Sequence, residues 1–189
     1  MRDFQDGGDG GHCRDHKEIV MTIGSSAMCG TFKTEAMAGI HYWTPHTRTG
    51  SSAITADTFK IAMFTDSSSI DADTTGYATS NEVSGTAYSA GGNSLASVTL
   101  ALSDNSSSVP TAFLDFADST WSTSTISSAR GALIYNSTLS TAGTGSTTNH
   151  AAYPAVAVIN FGGDKSSSAG DFTIQFPAND ANNAIIRIA

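Results

Sequence analysis

The chain has 189 residues, a mass of 19.4 kDa and a formal net charge of −8, with 51 Ser and Thr side chains but only 14% charged residues. No apolar run approaches the ~20 residues that span a bilayer, and two cysteines are too few for a disulfide scaffold. From Ser51 onward four basic residues (Lys60, Arg130, Lys165, Arg187) stand against eleven acidic ones, which excludes a sequence-general nucleic-acid binder, since that needs clustered cations to displace counterions.

Leu, Ile, Val and Phe number 34, a thin supply for a core. Low charge density and 16 aromatic residues nevertheless separate the chain from disordered sequences. The length suits one domain, or one domain with an arm.

The opening MRDFQDGGDGGHCRDHKE is Gly-rich, carries charges of both signs and has no apolar stretch of the signal-peptide kind. It reads as part of an extended N-terminal arm over residues 1–30, ahead of a single domain at 31–189. Phe4, Ile19 and Val20 are its only large apolar anchors before Met21. So few cannot build a local core against an ordering cost of about 1–2 kcal/mol per residue. The arm is expected to cross onto a neighbouring subunit.

His12, Cys13 and His16 lie close together, with Cys29 beyond. The spacing H-C-x-x-H matches no strong zinc pattern. Cys13 and Cys29 are instead candidates for a disulfide or an inter-subunit contact.

TFKTEAMAGIHYW, residues 31–43, places Phe32, Ala36, Gly39, Ile40 and Trp43 at helical spacing. Thr31 is the expected N-cap, and Pro45 ends the pattern. From Asp57 the period changes to two. Phe59, Ile61 and Met63 share one face, as do Val98, Leu100 and Leu102; Ala112, Leu114 and Phe116; and Phe172, Ile174 and Phe176. GALIYN, AVAVINF and AIIRIA add further strands, and SAGGN, SDNSS, FGGDKSSSAGD and PANDANN read as turns between strands. Seven or eight short strands predict an all-β fold: an antiparallel β-sandwich or flattened barrel with one short N-terminal helix.

Asp71-Ala-Asp73-Thr-Thr75-Gly76, followed by Glu82, nearly fits the calcium-loop pattern, with Asp71, Asp73 and Glu82 at positions one, three and twelve. Its flanks read as strand rather than as the helices of an EF-hand, so a polar loop is expected there and no metal. No nucleophile elbow, zinc-protease helix, phosphate loop or dinucleotide fingerprint occurs. Paired-carboxylate chemistry would need Asp115 with Asp118, Asp57 or Asp66, and Asp115 alternates with apolar neighbours as an outward strand residue would. Neither catalysis nor a cofactor is expected.

Seven segments occur in a recognisable order: FKIAMFT (59–65), the Thr-Thr-Gly-Tyr77 loop, NEVSGTAYSAGG (81–92), FLDFADSTW (113–121), ARGALIYN (129–136), AVAVINFGGDK (155–165) and DFTIQFPAND (171–180). Together they resemble small virion proteins of tailed bacteriophages. That resemblance implies a non-enzymatic, all-β structural component of the particle. Its expected role is that of an accessory capsid protein, a decoration or cement subunit. Its expected partners are other virion proteins, the major capsid protein above all, with neither nucleic acid nor membrane among them. A tail- or fibre-associated module binding host glycan or protein is the alternative. Strands with few Lys guards on their edges also predict a homo-oligomer.

Overall fold

The computed structural model describes residues 23–47, 52–103, 110–144 and 150–188. In chain order the elements are β1 (Ala27–Met28), α1 (Gly30–Met37), β2 (Phe59–Phe64), β3 (Gly85–Thr86), β4 (Asn93–Ser94), β5 (Thr99–Ser103), β6 (Thr111–Asp115), β7 (Ser119–Asn136), β8 (Ala155–Ile174) and β9 (Ile186–Ile188). They form two antiparallel sheets. The larger runs β1-β8-β7-β2-β4, with β3 also on β7, and the smaller runs β5-β6-β9. The fold is an all-β sandwich with one short helix.

The heart of the larger sheet is apolar on both faces. The β2–β7 register sets Phe59, Ile61 and Met63 beside Asn136, Ile134 and Ala132 on one face. Ala62 and Phe64 lie beside Leu133 and Gly131 on the other. A strand covered on both sides reads as a continuous apolar run, which is why FKIAMF and ALIY show so little alternation. Trp43 stacks on Phe59, with ring centroids 3.8 Å apart and planes 17° from parallel. Phe116 at the end of β6 lies 6.2 Å from Trp43 and 5.8 Å from Phe176, joining the small sheet to the same core.

The helix is shorter than its spacing predicts. Gly39 is its terminator, not an interior residue. At φ +70° it adopts the left-handed conformation that glycine tolerates. Its N–H donates to Ala36 O, and Ile40 N–H donates to Glu35 O, a pairing that closes a helix C-terminus. His41 and Trp43 therefore come from extended chain. The cap also differs from expectation. Cys29 occupies the N-cap position with extended backbone and no side-chain hydrogen bond, while Thr31 sits inside the first turn.

The boundary at residue 30 moves as well. Ile23 and Cys29 are buried in the common core, and β1 pairs with β8, Ala27 opposite Val158. Gly24 N–H donates to Ile70 O and Gly30 N–H to Ala72 O. Residues 23–30 thus fold onto their own domain. Residues 1–22, including Cys13, lie outside the described residues.

The largest correction concerns FGGDKSSSAGD. This segment is the middle of the twenty-residue β8, which pairs along the eighteen-residue β7. The pairing slips its register repeatedly between Trp121 and Gly131, and Thr123, Ser128 and Ala169 take positive φ. Each bulge removes ladder hydrogen bonds, and side chains replace them. Ser128 N–H donates to Ser166 Oγ at 3.0 Å, Ala169 N–H to Thr125 Oγ1 at 3.0 Å and Thr123 N–H to Asp171 Oδ1 at 2.9 Å.

Candidate functional site

Two side-chain networks absorb most of the buried polar chemistry. The first ties α1 to the sheet. Glu35 and His41 are both buried, and His41 Nε2 lies 2.9 Å from Glu35 Oε2. Thr138 N–H donates to Asn136 Oδ1, which fixes the orientation of that amide. Asn136 Nδ2 then donates to Asp57 Oδ2 at 2.7 Å and to His41 Nδ1 at 3.2 Å. Because Nδ1 accepts, the ring hydrogen belongs on Nε2, facing Glu35. Asp57 Oδ2 also accepts Tyr42 N–H. No sequence motif marks this group. Its one signal is that Glu is scarce outside the arm, where only Glu35 and Glu82 occur.

The second network surrounds Glu82. Its Oε2 accepts Tyr77 O–H at 2.6 Å, and its Oε1 accepts Tyr88 O–H at 2.6 Å and Gly91 N–H at 2.7 Å. The Tyr88 hydroxyl oxygen in turn accepts Met63 N–H. Tyr135 O–H donates to Gly91 O, and its ring stacks on Tyr77 with centroids 4.4 Å apart. Burial, reinforced by the charge of Glu82, pushes the Tyr135 phenol up to about 12. Burial first and the Glu82 hydrogen bond second push Tyr77 and Tyr88 up as well.

The calcium-like loop is divided between separate duties. Glu82 belongs to the tyrosine cluster. Asp71 Oδ1 accepts Asp73 N–H in a local turn, and Asp71 N–H donates to Thr74 Oγ1. Asp73 is exposed. Among the described residues no three His, Cys, Asp or Glu side chains converge.

Cys29 is a free, fully buried thiol, and its sulfur lies 4.0 Å from Asp71 O. Burial pushes it up to about 12, with Asp71 and Glu35 adding to the shift. Cys13, the other member of the candidate pair, lies outside the described residues. Asp115 is also a correction, because it is 1% exposed rather than outward. Its Oδ1 accepts Phe116 N–H, while Oδ2 has no hydrogen-bond partner among the described residues. Burial raises its pKa, and the amides of Phe116 and Ile185 offset part of that rise.

Part of the accessible surface is apolar. A groove of about 810 Å³ lies between β1 and β8 on one side and β9 on the other, lined by Met28, Ala157, Ile159, Ile174, Phe176 and Ile185, with Arg187 also on its wall. Among the described residues, three of the four exposed large apolar side chains, Leu100, Leu102 and Ile188, belong to the small sheet. Trp121 and Tyr135, which would suit a glycan platform if exposed, are buried.

No protein-family model matches this chain, and neither a curated protein nor a solved structure does.

Proposed function

We propose that the chain is a structural virion protein of a tailed bacteriophage. It serves as an accessory capsid subunit that stabilises the shell through contacts with the major capsid protein and its neighbours. One observation carries this reading: the distribution of side chains. The carboxylates and the imidazole best placed for chemistry (Glu35, His41, Glu82) are committed to hydrogen bonds inside the fold. Apolar area, by contrast, is left uncovered at the groove and on the small sheet. A protein so arranged works by area of contact, and a symmetric shell repeats each contact many times. The resemblance of its ordered segments to small phage virion proteins points the same way.

Copy number in purified particles tests the reading. Decoration of a shell requires many copies per particle. A handful of copies favours the tail or fibre module, and absence from the particle overturns a virion role.

A further inference from the structure

We infer that β5 is a homotypic docking edge, pairing with β5 of a second copy of this chain across a two-fold axis. β5 is the outermost strand of the small sheet, so one side of its backbone faces away from β6. Its register with β6 and β9 places Leu100, Leu114 and Ile186 in one row and Leu102, Ala112 and Ile188 in the next. All six are therefore on one face of the sheet. Leu114 and Ile186 are buried there, whereas Leu100 is 51% exposed and Leu102 63%.

Two features specify a second copy as the occupant. The first is sequence symmetry. Thr99-Leu100-Ala101-Leu102-Ser103 reads nearly the same in both directions. An antiparallel pair centred on Ala101 sets Leu100 opposite the partner's Leu102 and Thr99 opposite the partner's Ser103. Directly opposed side chains on such a pair lie within contact of one another, so each exposed leucine is covered by its counterpart. The second is charge. Two copies at net −8 repel each other, but neither β5 nor the aliphatic face behind it carries a charged side chain. The edge also lacks the Lys, Pro or bulge that keeps natural edge strands apart. The result is an isologous interface in which two three-stranded sheets become one of six.

The assembly reading supplies the purpose of this pairing, but the pairing is measured on the isolated chain. It can therefore fail while particle occupancy succeeds, or the reverse. Light scattering after size exclusion should give twice the 19.4 kDa chain mass. Leu100→Lys/Leu102→Lys should give a monomer with unchanged circular dichroism, since both side chains are exposed. In a Cys13→Ser background, Ala101→Cys should oxidise to a covalent dimer much faster than Ser84→Cys, an exposed position away from β5. Residues opposed on the axis have Cα atoms about 4.5–5.5 Å apart, within disulfide reach. A monomeric wild type at high concentration, a dimer that survives the double lysine variant, or equal oxidation at the two positions would overturn the inference.

Discussion

His41 Nε2 lies 2.9 Å from Glu35 Oε2, and the two side chains are 0% and 4% exposed. This contact fastens the only helix among the described residues to the sheet, since the other ring nitrogen meets Asn136 at the end of β7. Removing one partner strands the other in a dry site. Glu35→Ala leaves the His41 Nε2–H without its acceptor and should cost about 1–3 kcal/mol, read by urea denaturation. Lys33→Ala, on the exposed side of the same helix, should change stability by about 0.5 kcal/mol or less. Equal effects of the two substitutions would show that the buried contact contributes nothing.

Burial first, and Glu82 beside it, delay the ionisation of three tyrosines. Their folded pKa values lie above the unfolded value of about 10. The stability they contribute is therefore fully present below pH 10 and is lost as pH rises through the folded values. Ultraviolet titration of the folded chain should show fewer than its five tyrosines ionising near about pH 10. Glu82→Gln removes the charge that raises Tyr77, Tyr88 and Tyr135, so the delayed fraction should titrate earlier. Superimposable curves for wild type and variant would contradict this assignment.

Asp115 has the same sign in a different pH window. Its folded pKa is raised, so its contribution is present below the unfolded value of about 3.9 and is lost as pH climbs through the folded one. Once ionised, the buried carboxylate is a burden. Asp115→Asn keeps an oxygen for Phe116 N–H. The variant should gain stability relative to wild type as pH rises from acid to neutral. A stability difference that stays flat with pH would contradict the shift.

Ser167 Oγ lies 2.7 Å from Ser124 Oγ and accepts Ile126 N–H at 3.2 Å, while Ser124 Oγ also donates to Gly170 O. Ser124 and Ile126 are fully buried. Ser167→Ala leaves that amide without its acceptor and should cost about 1–3 kcal/mol. Because the two serines share one network, the double variant with Ser124→Ala should cost less than the sum of the singles. Strict additivity in denaturation midpoints would argue that the hydroxyls act independently.

These serines also show where sequence reading reached its limit. Period-two alternation exposed β5 and β9, which set small or polar side chains against large ones, and it marked one apolar face each of β2 and β6. It found the end of β7 at GALIYN and both ends of β8 at AVAVINF and DFTIQF, and failed between them, where bulges break the period and hydroxyls stand in for ladder bonds. Ser- and Gly-rich chain then looks like a turn. The candidate site behaved likewise. Asp71, Asp73 and Glu82 matched a spacing, but spacing along a chain does not show that Glu82 already has three donors. Glu35, His41, Asn136 and Asp57 are brought together by tertiary packing alone, across separations of up to 95 residues. The outward leucines of β5 were legible as a stripe, but which side of the stripe meets solvent was not.

Cys29 offers the last test, because its position decides what the thiol can do. The side chain is 0% exposed and its pKa is pushed up to about 12, so at neutral pH it is a protonated thiol without access to reagent. The thiolate is the reactive form, and here it is suppressed twice, by burial and by the neighbouring carboxylates. In Cys13→Ser protein, labelling of Cys29 by a thiol-specific disulfide reagent should be negligible in buffer. It should rise together with loss of circular dichroism as urea is added. The raised pKa also means that Cys29 favours the fold below its unfolded value of about 8.5, an advantage lost as pH climbs toward 12. Rapid stoichiometric labelling of the folded protein at neutral pH would place Cys29 outside the core.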